Sequence, residues 1–176
     1  KTHAFQEEQT NINIGFGGHG NRGVLGITFD KLLTDHHALS ASAGLDTIGA
    51  ITSVGFKYIG TKLTKHSDSA WGKCFFIWEC DSYLFAGGGI QYATGTTIEI
   101  SENSIDRTYQ TKQKWLGITS LGFKQLLKNS MTFDIEISYR QILTGGEYTQ
   151  TKGSYHDDTK AIESGYRTVG INFGIG

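Results

Sequence analysis

The ten residues from Met131 to Arg140 read Met-Thr-Phe-Asp-Ile-Glu-Ile-Ser-Tyr-Arg. Met131, Phe133, Ile135, Ile137 and Tyr139 are apolar, and Thr132, Asp134, Glu136, Ser138 and Arg140 between them are polar or charged. Side chains alternate faces along an extended chain, so this segment carries one greasy wall and one charged wall. A helix would scatter the same residues around its circumference, so the pattern specifies a strand. About ten residues is also what a tilted strand needs to cross a bilayer.

The alternation recurs along the chain. Asn11 to Gly18 sets Ile12, Ile14 and Phe16 against Asn11, Asn13, Gly15 and Gly17, and Gly23 to Asp30 sets Leu25, Ile27 and Phe29 against Gly26, Thr28 and Asp30. Leu39 to Leu45, Ile51 to Lys62 and Tyr83 to Tyr92 repeat it, with Val54, Phe56, Tyr58, Leu84 and Ile90 on the apolar side. Trp115 to Gln125 is less regular: Leu121 and Phe123 face outward, which turns Leu116 and Ile118 inward unless a bulge changes the phase. Thr168 to Ile175 closes the series with Val169, Ile171, Phe173 and Ile175. The count is about eight strands, the smallest common number for an up-and-down transmembrane β-barrel with lipid outside and a polar lumen. The expected organisation is a single all-β barrel domain over residues 1–176.

An internal repeat supports the count. Ile51-Thr52-Ser53-Val54-Gly55-Phe56-Lys57 matches Ile118-Thr119-Ser120-Leu121-Gly122-Phe123-Lys124 with one conservative exchange, and shorter echoes occur at Gly26–Phe29 and Gly170–Phe173. Glycine on the inner face suits a narrow barrel, whose layers hold few bulky side chains. The 176 residues include 24 Gly and no Pro, where about nine Pro would be average usage. A chain without Pro keeps its backbone donors for ladders. The formal charge of −1 offers no electrostatic case for nucleic acid. The mean hydropathy of −0.28 would suit a water-soluble chain, but in a barrel only alternate residues meet lipid.

The connections differ in length. Leu33–His36 and Leu127–Ser130 are short and polar, whereas residues 93–114 and 144–167 are long and rich in Thr, Ser, Gly and charge. Short turns at the periplasmic rim and long loops at the cell surface are the rule for such barrels. The Gly60–Asp81 connection is long yet falls on the short-turn side.

These features resemble the small eight-stranded outer-membrane barrels: the OmpA transmembrane domain, OmpX and the opacity proteins. Ser82–Tyr92, an aromatic followed by small residues and Gly, is similar to their fifth strand, and Gly122 to Tyr139 is similar to their sixth-to-seventh hairpin. Thr168, Gly170, Phe173 and Ile175 resemble the C-terminal assembly signal of outer-membrane proteins, although Gly176 stands where an aromatic is usual. The resemblance implies a bacterial outer-membrane location with the signal peptide already removed, and outer-membrane lipid and lipopolysaccharide as surroundings. It implies Phe133, Ile135, Ile137, Tyr139, Val169, Ile171, Phe173 and Ile175 as lipid-facing residues. The long segments 93–114 and 144–167 become the surfaces for a protein partner.

A catalytic reading finds little support. Lipid-A-modifying barrels supply the rival, and their deacylase type needs a His-x-Ser pair with a carboxylate. The nearest material is His66-Ser67-Asp68-Ser69, which lies in a connection. His36 and His37 sit in a turn, His19 in a short loop, and His156, Asp157 and Asp158 in the last long loop. Three near-adjacent residues without a second ligand set make a poor cation site. No catalytic residue, metal or cofactor is therefore expected.

Asp30, Lys57, Lys124, Asp134, Glu136 and Arg140 all fall on the inward face. Isolated charges inside a narrow barrel are costly, so these should pair and plug the lumen rather than line a pore. On that reading, loss of Glu136 should destabilise the barrel. Two readings stand beside a non-enzymatic surface protein used for adhesion, partner binding or envelope support. One is a lipid-A enzyme or a conduit for small hydrophobic molecules. The other is a soluble lipocalin-like ligand-binding barrel, because alternation alone does not say which face turns inward.

Cys74 and Cys80 flank Phe75-Phe76-Ile77-Trp78-Glu79. An exported protein meets an oxidising compartment, so the pair is expected to form a disulfide that staples this aromatic loop. Intact-mass analysis after alkylation should find neither thiol modified in native protein; two alkylated thiols would remove the bridge.

Overall fold

The computed structural model describes residues 10–17, 22–63, 81–102, 105–126, 132–145, 147–153, 162 and 169–176. Eight antiparallel strands form a closed barrel in which each pairs with the next barrel strand in sequence. They are β1 (Thr10–Gly17), β2 (Leu25–Thr34), β3 (His37–Asp46), β4 (Gly49–Leu63) and β5 (Asp81–Ala93), then β8 (Lys114–Leu126), β9 (Thr132–Gly145) and β11 (Val169–Ile175). Between them β6 (Thr97–Glu102), β7 (Ile105–Thr111) and β10 (Tyr148–Lys152) make a separate sheet in the order β10-β7-β6. Every strand expected from alternation is present. The surplus strands correct the reading of 93–114 and 144–167 as loops: parts of both segments pair with each other. Their pattern is broken by Thr, Gln and Asp on both faces, so period-two reading passed over them.

The barrel closes where β1 meets β11, with Ile14 opposite Ile175 and Gly17 opposite Asn172. Beyond the ladder, Thr132 and Gly176 exchange backbone hydrogen bonds at 2.6 and 3.0 Å. Closure leaves no unpaired barrel edge, which satisfies backbone groups that an open sheet would expose. At one end lies the Asp35–His36 turn. At the other, the Thr47–Ile48 turn sits with the three-stranded sheet.

Side chains follow the expected parity. Leu116 and Ile118 point inward and are buried, so the phase holds through β8. An irregularity is present between Trp115 and Leu116, where β9 carries the extra residue Leu143. The repeated heptapeptides lie on β4 and β8, the two neighbours of β5. Gly55 stands opposite Gly89, and Gly122 stands opposite Phe85.

Two glycines of the wall make opposite demands. A Cβ on Gly122 would lie 2.2 Å from the Phe85 ring and 2.6 Å from the Ile135 carbonyl, so the ring occupies the space the missing side chain leaves. A Cβ on outward-facing Gly88 would meet only the Ile118 carbonyl at 3.7 Å. Gly122→Val is expected to cost about 1–3 kcal/mol through overpacking. Gly88→Ala should be neutral or stabilising by up to about 1 kcal/mol, because glycine weakens a strand interior. Urea unfolding of the two variants, followed by tryptophan fluorescence, measures both.

Candidate functional site: the charged lumen

Inward-facing residues on the barrel strands bring the polar set into the lumen. Asp30 enters from β2, Lys57 from β4, Lys124 from β8, and Asp134, Glu136 and Arg140 from β9. All are less than a tenth exposed. The two repeated lysines converge on one acid. Lys57 Nζ donates to both oxygens of Asp30 at 2.9 and 3.0 Å. Lys124 Nζ lies 3.6 Å from Asp30 Oδ2 and donates to Asn11 Oδ1 at 2.8 Å. Asn11 Nδ2 in turn donates to Thr132 Oγ1 at 3.2 Å, and the Thr132 hydroxyl donates to Asn13 Oδ1 at 2.7 Å. Nearer the other end, Arg140 Nη1 reaches Asp46 Oδ2 at 3.0 Å and Gln91 Oε1 at 3.3 Å.

Asp134 is held by a residue that alternation missed. Arg22 lies between β1 and β2, is fully buried, and forms an ion pair with the Asp134 carboxylate. Its Nε donates to Thr28 Oγ1 at 2.8 Å. Four glycines make room for it. Side chains on Gly15 or Gly174 would strike the Arg22 side chain, and side chains on Gly26 or Gly44 would strike its carbonyl. Gly23, the next residue, has φ of 72°, which favours glycine and lets the chain turn back toward β2. The legible signal was a cluster of inward glycines on neighbouring strands, a gap that some other group had to fill. Asp46 and the buried Lys114 were also missed, because each sits at a strand end where the pattern is weakest.

Glu136 differs from its neighbours. It is fully buried, yet neither carboxylate oxygen has a hydrogen-bond partner among the described residues. The same holds for Ser138 Oγ and both amide atoms of Asn172, which lies opposite Glu136 in register. The expectation that Glu136 pairs directly is therefore revised. Among the described residues, no cation makes a contact ion pair with it.

An apolar cluster packs at one end of the lumen. Tyr109 of β7, Ile48 and Ile162 bury themselves on Ile51, Ala93 and Leu116 from the inner wall. Tyr109 also meets Tyr148 of β10 edge-on at 5.6 Å. On the surface of this cap, Lys112 donates to Glu147 at 2.6 Å. That hydrogen bond and charge hold the Glu147 carboxyl below its ordinary value. The pair is exposed to water, so it adds little stability.

The outer wall holds the other expected residues. Ile137, Tyr139, Val169, Ile171, Phe173 and Ile175 are exposed on the exterior, and Phe133 and Ile135 are part-exposed there. Gly170 faces the lumen, whereas Thr168 lies outside the described residues. Cys74, Cys80, His19, His66 and the His156-Asp157-Asp158 group also lie outside them. The chain matches no known family model, no curated protein and no solved structure.

Removing Asp134 leaves Arg22 charged and unpaired, a change that costs about 3–5 kcal/mol at a buried pair. Asp134→Ala is expected to lower the urea midpoint accordingly, and Arg22→Met with Asp134→Leu to restore most of the loss. Glu136→Gln, which breaks no contact pair, should shift the midpoint far less than Asp134→Ala.

Proposed function

We propose that this barrel is a non-enzymatic integral protein of a bacterial outer membrane. Its three-stranded extension and the adjoining loops are presented at the cell surface, for adhesion, partner binding or envelope support. The observation that carries the reading is the inversion of the barrel wall. Each of the eight strands exposes large apolar side chains, from Ile12, Ile14 and Phe16 on β1 to Val169, Ile171 and Ile175 on β11. Among the described residues, the barrel's outer wall carries one formal charge, Lys31 near the Asp35–His36 turn, while the lumen holds at least eight charged groups. A water-soluble protein rarely exposes a contiguous apolar patch above a few hundred Å². In lipid the same belt is satisfied, and the closed ladder presents no open sheet edge to the bilayer.

The inversion also weighs against a soluble lipocalin-like barrel, whose apolar face would turn inward. The catalytic alternative gains no support from the lumen, where the charges that touch one another are joined as ion pairs. Aromatic groups stand near both rims. Tyr92 and Trp115 meet at 5.2 Å on the capped side, and Tyr58 packs on His36 and His37 at the other. Rings with a polar edge are favoured at membrane–water boundaries. The proposed orientation puts the Asp35–His36 turn in the periplasm and the cap outside.

Electrophoresis of detergent-extracted membranes tests this. Unboiled protein is expected to migrate as a compact band and to shift on boiling to the position of its 19.3 kDa mass. Recovery in the soluble fraction with no shift would overturn the membrane reading.

A further inference from the structure

We propose that Glu136, Ser138 and Asn172 form a binding site for one monovalent alkali cation inside the barrel. The observation behind it is a difference among the buried acids. Asp30 is in contact with Lys57, Asp46 with Arg140, and Asp134 with Arg22. Glu136 is fully buried, and neither of its carboxylate oxygens has a hydrogen-bond partner among the described residues. A buried carboxylate without a partner is costly. Its oxygens only accept, so the group that completes it must carry positive charge or donate hydrogen bonds.

Two further side chains turn unsatisfied atoms toward the same place. Asn172 stands directly opposite Glu136 on β11, and Ser138 is the next inward residue of β9. Both are buried, and the Ser138 hydroxyl and both amide atoms of Asn172 are without a partner among the described residues. Cross-strand neighbours on one face have Cβ atoms about 5 Å apart. Alternate residues of one strand lie about 7 Å apart, so one small ion can be reached by all three side chains. Beside them in register stand Gly122, Ser120 and Gly170, none of which projects a long side chain. A side chain on Gly17 of β1 would lie 2.7 Å from the Asn172 amide oxygen, so this glycine keeps that oxygen uncovered.

The donor set selects the class of ion. Two carboxylate oxygens, an amide oxygen and a hydroxyl make an all-oxygen set, which suits a hard cation. A single carboxylate balances a single positive charge. Among the described residues no three His, Cys, Asp or Glu side chains gather to hold a metal ion, which fits an alkali ion rather than a transition metal or calcium. Arg22 and Lys57 each have an acid of their own, Asp134 and Asp30, and compete little for Glu136. The site does not rest on the membrane reading, since its residues are all inside the barrel.

Urea unfolding followed by tryptophan fluorescence tests the proposal, with sodium chloride replacing choline chloride at constant total salt. The protein is held in maltoside micelles, or in plain buffer if it proves water-soluble, which keeps failure of the membrane reading separate from failure of the site. Sodium should raise the midpoint where choline, too large for the site, does not. Once the site is filled, each ten-fold rise in sodium should raise the folded-to-unfolded ratio by up to about ten-fold, as one bound ion requires. Glu136→Gln keeps the shape, removes the charge and should abolish the sodium dependence. Ser138→Ala and Asn172→Ala, which remove one oxygen ligand each, should weaken it. Equal midpoints in the two salts would overturn the site and leave Glu136 to internal water. A sodium dependence retained in Glu136→Gln would overturn it too. If that variant does not fold, an unaltered dependence in both Ser138→Ala and Asn172→Ala would do the same.

Discussion

A sheet of eight strands closed on itself encloses a space only wide enough for side chains, and that limit governs the rest of the molecule. Alternate residues of every strand must share the narrow interior, while the others are left on the outer wall. The inward positions have to satisfy both volume and polarity. Glycines on β1, β2, β3 and β11 thin the wall enough for Arg22 to lie inside it, and Gly122 does the same for the Phe85 ring. Many of the side chains that remain are charged or polar, and several of them are joined as ion pairs. Breaking one such contact would strand a charge away from water.

The interior is graded along its axis. Among the described residues, Tyr109, Ile48 and Ile162 pack toward one end, ion pairs occupy the middle, and Leu32, Ile59, Tyr83 and Phe85 lie with Lys57 and Lys124 toward the other. In the middle, Arg22 pairs with Asp134 while Lys57 and Lys124 share Asp30, and Arg140 reaches Asp46 nearer the cap. The pairing is uneven. Two lysines share Asp30, while Glu136 makes no contact ion pair among the described residues. The duplicated heptapeptide accounts for it. It places Lys57 and Lys124 on the two strands flanking β5, both within reach of the same acid.

Strand positions and the inward set Asp30, Lys57, Lys124, Asp134, Glu136 and Arg140 were legible because period-two alternation is a local property. Arg22 was not, since it sits in a connection and its partner Asp134 is 112 residues away. Nor was the three-stranded extension, whose segments carry polar residues on both faces and become strands only by pairing across 93–114 and 144–167. The direct pairing expected for Glu136 failed because a shared face does not fix which side chains meet.

The sequence by itself determined that the chain forms strands, how many build the barrel, and which residues of each share a face. These follow from alternation, which the backbone imposes residue by residue. Only the tertiary structure decided that β1 closes on β11, that Arg22 enters the lumen, that one end is capped, and that two lysines converge on Asp30. Each depends on register and strand tilt around a closed sheet, and those are fixed by contacts between residues far apart in the chain.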